Sequence, residues 1–455
     1  MRRIVKRQAA LLVLLLGFCA GLGILAGSFA LNGARWATNR ANSHIYSQGA
    51  IARAGSIYDR HGVLLAETKN GKRELPGGAT LRKATLHAVG DPQGYISTGA
   101  HAAFRGTLTG YSRLGGIYSL IQYGKGSDVT LTIDSELSRR AYEALGGRKG
   151  TVGVYNYLTG EVLCMVSAPS YDPLNKPRDI DTNSAYDAVY LNRFLHGLFT
   201  PGSVFKIVTA YCALENLPDI DSRAFKCEGG CATGEGTVKC MAKHGALNFE
   251  QALNLSCNSV FAQLALELGE DSLRRTAEKL GFNRTFTSEK IPLAIGRYPT
   301  SPRTRLELGW TGVGQHTTLA NPCQMMILMG AIAGGGRGVR PRLIKNTATP
   351  YGLQVPRAPA QTALRIDPAI AARLQAMLRS NVTSAYDPSG QKTGSLRLCG
   401  KTGTAEVDGK QPHAWFAGFS LNPDTPYVIV VVGENAGSGR AVAFEIAAKV
   451  LRYYL

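Results

Sequence analysis

Pro201-Gly202-Ser203-Val204-Phe205-Lys206 places a hydroxyl and an amine three residues apart, where an apolar run of helical period begins. On a helix that spacing brings both side chains to one side, about one turn apart. A serine becomes a strong nucleophile only when a base takes its proton. A lysine can be that base when burial or a neighbouring positive charge loosens its own proton. A helix N-terminus at Ser203 would also favour a developing oxyanion. Taken alone, Ser-x-x-Lys reads as an ordinary capping serine. Its company changes the reading. Ser256-Cys257-Asn258 precedes a second apolar helical run, and Lys401-Thr402-Gly403-Thr404 lies in a strand-like run near the C-terminus. A second hydroxyl, an amide and a second lysine complete the parts of a proton relay and a carboxylate-binding edge. Gly403 within a strand packs weakly and marks close approach by a ligand or another backbone.

These residues need a frame. Asp128–Asp134 alternates as a strand and Ser135–Leu145 has helical spacing. Residues 150–157 and 161–167 form two strand-like runs joined at Thr159-Gly160, an antiparallel hairpin. Val204–Glu215 and Asn258–Leu268 read as helices. Cys399–Val407, His413–Phe419 and Tyr427–Gly433 read as three successive strands, with turns at Asp408-Gly409 and Asn422-Pro423-Asp424. Ala441–Tyr454 closes the chain as an amphipathic helix. The combination predicts an α+β fold with an antiparallel sheet flanked by helices. Upstream, Arg53–Ala66 reads as strand, turn and strand. The stretch 70–127, rich in Gly, Thr, Ser and Tyr, shows no sustained helical period and is read as a small β-rich pedestal with loops.

With 44% hydrophobic and 18% charged residues the chain can bury a large core and is not disordered. The net charge of +19 comes from scattered Lys and Arg, without a nucleic-acid-binding signature. That excludes nucleic acid as the expected partner and favours an anionic membrane surface or cell-wall polymer. Arg2, Arg3, Lys6 and Arg7 precede an uncharged apolar stretch, Ala9–Leu31. Its length favours a single transmembrane helix over a cleaved signal ending near Ser28-Phe29-Ala30. The basic residues then stay in the cytoplasm and the remainder lies outside. Eight of the nine cysteines follow this segment. Cys227, Cys231 and Cys240, with His244, have the residue types to hold zinc. In an exported chain a disulfide is the favoured reading, Cys227 to Cys240, with Cys231 left unexplained and no metal expected. Cys257 is read as a small buried residue.

Ser-x-x-Lys, Ser-x-Asn and Lys-Thr-Gly in this order occur together in penicillin-binding proteins and serine β-lactamases. From about 128 to 455 the chain resembles the transpeptidase domain of class B penicillin-binding proteins. Thr159–Leu163, Ser167–Pro173, Asn192-Arg193 and His413–Phe416 add to the likeness, and Arg53–Ala66 resembles the juxtamembrane signature of that class. The division implied is a cytoplasmic tail (1–8), an anchor (9–31), a linker and pedestal (32–127), and the transpeptidase domain (128–455). The resemblance implies that Ser203 attacks the penultimate D-Ala carbonyl of a peptidoglycan stem peptide while Lys206 takes its proton. It implies that Ser256 protonates the leaving D-Ala, that Asn258 orients Lys206 and the substrate, and that Lys401, with Thr404, binds the terminal carboxylate on the Lys401-Thr402-Gly403-Thr404 edge. Backbone N–H groups of Ser203 and Thr404 would form the oxyanion hole. No cofactor is implied. β-Lactams would be covalent inhibitors, and a polytopic glycosyltransferase of the cell membrane a partner.

One motif departs from the family. Gly312-Val313-Gly314-Gln315-His316 has His316 where a glycine is usual, which is read as a substitution in a surface loop. Competing readings are a class D-like β-lactamase, a β-lactam sensor and a D,D-carboxypeptidase. A class D enzyme would carry an aliphatic residue in place of Asn258, and a sensor would need several spanning helices.

Overall fold

Five consecutive β-branched residues, Val428 to Val432, favour an extended chain. They form the central strand, Tyr427–Gly433, of a five-stranded antiparallel sheet in the computed structural model, which describes residues 2–39, 41, 46–47, 50–51, 53–289, 291–299 and 304–455. The strand order is 398–407, 410–420, 427–433, 150–156, 162–168. Both faces are covered, so the central strand reads as apolar throughout rather than alternating. Val428, Val430 and Val432 face a core shared with Tyr155, Trp415 and the helix Pro322–Ala333. Ile429 and Val431 face the opposite core, with Phe416, the helix Ser135–Leu145 and Phe444, Ile446 and Val450 of the C-terminal helix.

Local signals explain the helix ends. Asp134 caps Ser135–Leu145 by accepting from the Leu137 N–H, and Gly146 ends it in the left-handed region. Asn321 caps Pro322–Ala333, whose first position is a proline.

A second sheet of six strands runs 354–356, 344–348, 128–131, 57–58, 64–69, 72–74. Only the pairing of Ile57–Tyr58 with Asp128–Leu131 is parallel. The sheet draws strands from both sides of position 128. Within 70–127, read from sequence as β structure and loops, the chain forms a helix, Ala79–Val89, and three short helical turns. Ala84 to Val89 are all buried. A helix enclosed on every side has no polar stripe to mark its period.

The N-terminal helix, Arg2–Ala37, is long and apolar enough to cross a membrane, and its apolar residues are exposed. It continues six residues beyond Leu31 and meets the short helix Arg105–Leu108, where Gly106 leaves room for Ala34 and Arg105 donates to the Thr38 carbonyl at 3.3 Å. Of the expected linker, 32–52, the first six residues are helical, and residues 40, 42–45, 48–49 and 52 lie outside the described residues.

Candidate active site

The Ser203 segment is held from both sides by backbone contacts. Gly202 has φ +55°, and its N–H donates to the Gly314 carbonyl at 2.9 Å. A Cβ on Gly202 would come within 2.9 Å of the Thr404 carbonyl. Trp415 Nε1 donates to the Thr200 carbonyl at 2.9 Å. Residues 202–205 form a 3₁₀ turn that runs into the helix Lys206–Asn216. Residues three apart eclipse in such a turn, so Ser203 and Lys206 share a side more closely than in an α-helix. Ser203 is half-buried and Lys206 fully buried.

The second motif bends sharply before its helix. Ser256 has φ +55°, Cys257 is the N-cap, and Asn258 opens the helix Asn258–Lys279. That bend turns Ser256 and Asn258 toward Lys206. Lys206 Nζ donates to the Ser256 carbonyl at 2.6 Å, to Asn258 Oδ1 at 2.7 Å and to Ser256 Oγ at 3.2 Å. Asn258 Nδ2 donates to the Lys239 carbonyl at 3.0 Å, which fixes the amide orientation.

Lys401 arrives from the sheet-edge strand Leu398–Val407 and is also fully buried. Its Nζ donates to Ser256 Oγ at 3.0 Å, to the Thr402 carbonyl at 3.2 Å and to the Tyr386 hydroxyl at 3.4 Å. Ser256 Oγ therefore accepts from two lysines. Burial pushes Lys206 well below the ordinary lysine range, and the Lys401 charge pushes it further; the Cys240 and Cys257 thiols act in the opposite sense. An amine that holds its proton weakly can take one from a neighbouring hydroxyl.

The edge strand packs against the Ser203 turn through a missing side chain. A Cβ on Gly403 would meet the Pro201 carbonyl at 2.6 Å and Val204 Cγ2 at 2.9 Å. Thr404 is exposed beside this contact, and its Oγ1 accepts from the Gly439 N–H at 3.0 Å. Seven sequence-predicted residues thus converge: Ser203, Lys206, Ser256, Asn258, Lys401, Gly403 and Thr404. Thr402 stands slightly apart, bonded to Tyr386 rather than to the Ser203 turn. Tyr386 is the residue that sequence reasoning missed. Its hydroxyl accepts from Lys401 Nζ, from the Thr402 N–H at 3.2 Å and from Thr402 Oγ1 at 3.1 Å. No motif surrounds it in sequence.

The cysteines differ from expectation. Cys227 and Cys240 form no disulfide; both are free thiols. Each Sγ lies 3.5 Å from His244 Nδ1. Cys231 stands apart on the Gly230–Ala232 strand, and the third cysteine of the group is Cys257. His316 is exposed, with φ +65° and Nε2 3.4 Å from Glu307 Oε1. The left-handed backbone explains why glycine suits that position.

Residues 150–452 match the family described as the penicillin binding protein transpeptidase domain. The peptidoglycan D,D-transpeptidase PbpA of Mycolicibacterium smegmatis is 27% identical over 387 residues, 76% of each chain. The peptidoglycan D,D-transpeptidase MrdA of Acinetobacter baumannii is 26% identical over 73% of this chain and 54% of its own. Among solved structures, a D,D-transpeptidase domain from Eggerthella lenta aligns with a TM-score of 0.77 at 29% identity, covering 89% of this chain and 98% of that one. Penicillin-binding protein A of M. tuberculosis, as its imipenem acyl-enzyme complex, aligns at 0.78 and 25% identity, with 89% and 98% coverage. The domain match spans most of the chain and contains all three motifs, so this chain belongs to the penicillin-binding protein transpeptidase family, in its class B branch.

Proposed function

We propose that this chain is a peptidoglycan D,D-transpeptidase that works through a Ser203 acyl-enzyme. The observation that carries the reading is Ser256 Oγ held between the amines of Lys206 and Lys401, with Lys206 buried behind Ser203. Ser203 Oγ attacks the penultimate D-Ala carbonyl of a stem peptide and its proton passes to Lys206. N–H groups of Ser203 and Thr404 receive the oxyanion. The C–N bond then breaks, and the proton travels through Ser256 to the departing D-Ala amine. An amine of a neighbouring stem peptide attacks the ester, restores the Ser203 hydroxyl and leaves a cross-link. Lys401 and Thr404 hold the terminal carboxylate, and Asn258 orients Lys206. The strand edge at Leu398–Val407 suits an extended peptide. The N-terminal helix serves as a single membrane anchor, with the basic tail in the cytoplasm and the catalytic domain outside. A polytopic glycosyltransferase supplies the glycan strand.

A β-lactam presents a strained amide to the same nucleophile. Penicillin should therefore form a persistent ester at Ser203, read by intact-protein mass spectrometry and peptide mapping. Ser203→Ala should abolish the label with little change in stability, since Ser203 lies within the 3₁₀ turn and caps no helix. Rapid release would indicate a β-lactamase, and label on another residue would sink the assignment.

A further inference from the structure

Directly behind the Ser256–Asn258 bend, four metal-ligand atoms converge: the sulfurs of Cys227, Cys240 and Cys257 and a ring nitrogen of His244, all within 4.8 Å of one another. The separations can be tested against a metal geometry. With metal–sulfur bonds of about 2.3 Å and metal–nitrogen bonds of about 2.0–2.1 Å, a tetrahedron has S···S edges near 3.8 Å and S···N edges of roughly 3.6 Å. The Cys240–Cys257 sulfurs are 3.8 Å apart, and the Cys227 and Cys240 sulfurs each lie 3.5 Å from His244 Nδ1. A disulfide needs about 2.05 Å between sulfurs.

The supporting structure also fits. Cys227 ends the strand Ala224–Cys227, Cys240 follows the strand Thr237–Lys239, and His244 precedes the strand Gly245–Asn248. These are two narrow two-stranded ribbons, 224–227 with 245–248 and 230–232 with 237–239. Small ribbons of this size gain much of their stability from a bound ion. Cys257 stands at the N-terminus of a 22-residue helix, where a thiolate is favoured.

We propose that Cys227, Cys240, Cys257 and His244 hold one tetrahedral zinc ion, which ties the ribbons to the Ser256–Asn258 bend. Three thiolates and one imidazole are a zinc donor set. Binding releases the three thiol protons, and His244 donates the lone pair of Nδ1. The ligand Cys257 lies between Ser256, held at φ +55°, and Asn258, whose amide rests on the Lys239 carbonyl next to Cys240. Zinc thus clamps both sides of that bend, and the cysteines act as positioning residues. This second role rests on the Ser203 reading; the metal site does not.

The test uses full-length protein purified under reducing conditions with zinc. Metal analysis should find stoichiometric zinc in the wild type and in Cys231→Ala, and loss of most of it in Cys240→Ala. If Cys240→Ala does not fold, cobalt(II)-substituted wild type gives an independent readout, a thiolate-to-metal charge-transfer absorption. Zinc-free wild type, a missing charge-transfer band, or a Cys227–Cys240 disulfide in non-reduced peptide maps overturns the site. Chelation should slow penicillin acylation roughly a hundredfold, the scale of a misplaced catalytic group, with recovery when zinc is restored. Unchanged acylation after zinc removal overturns the positioning role. Stoichiometric zinc in a protein that penicillin never acylates supports the metal site and overturns the Ser203 reading instead.

Discussion

Lys401 and Tyr386 divide the site into what residue types announce and what only packing reveals. Lys401 is legible because Lys-Thr-Gly-Thr on a strand is a strong pattern. Tyr386 reaches the same amine from a segment without any pattern, and tertiary packing alone brings its hydroxyl there. Cys257 is buried, as its sequence reading has it, but its 3.8 Å contact with Cys240 arises through the ribbons and no local pattern shows it. Two predictions belong to this scale. Lys401→Ala should keep the fold and slow penicillin acylation tenfold to over a hundredfold, since a charged hydrogen bond is worth about 1.5–3 kcal/mol. Unchanged acylation would remove Lys401 from carboxylate binding. Tyr386→Phe takes an acceptor from three donors, two of them on Thr402, and should lower stability by about 1–3 kcal/mol in urea denaturation.

The elements were legible where local signals and burial pattern agree. Ser135–Leu145 carries a cap, a glycine stop and one apolar face, and the sequence reading has the same ends. Ala79–Val89 lacks a cap bond and is buried all round its second half, so its period is hidden. The sequence reading starts the Ser203 helix at Val204, whereas the chain turns as 3₁₀ over Gly202–Phe205 before the α-helix begins at Lys206, because contacts to Gly314 and Trp415 shape that turn rather than local propensity. The contact between this turn and the edge strand sets a prediction. Gly403→Ala should force the two apart, since its Cβ has no room against the Pro201 carbonyl. A cost of about 1–3 kcal/mol is expected, with slower acylation although every polar group of the site remains. A variant with wild-type melting temperature and acylation rate would show that the gap is not needed.

At the scale of the whole molecule, the five-stranded sheet was readable from its strand runs, while the six-stranded sheet was not, because its strands are short and drawn from distant segments. The helix Ala79–Val89 is also fastened to the transpeptidase domain by a paired charge. Arg82 on the helix Ala79–Val89 donates through Nε and Nη2 to the two oxygens of Asp172, both at 2.7 Å. Arg82 holds the Asp172 carboxyl down from 3.8 to about 2. The folded state thus binds this proton less readily than the unfolded chain. The contribution is complete above the ordinary carboxylate range and is lost as pH falls from about 4 to about 2. It corresponds to roughly 2 kcal/mol at neutral pH. Asp172→Asn should lower stability by that amount at pH 7 and flatten the acid limb of a stability–pH curve; parallel curves would argue against the bridge. The order of strands in the five-stranded sheet has a consequence in time. Asn156 pairs with Tyr427, about 270 residues later, and each residue of that hairpin strand waits for a partner near the end of the chain. At a synthesis rate of about 5–20 residues per second the wait is roughly 15–50 s. Until then the strand 150–156 has no partner on its inner, apolar edge, so completion of this sheet waits for the strands between 398 and 433.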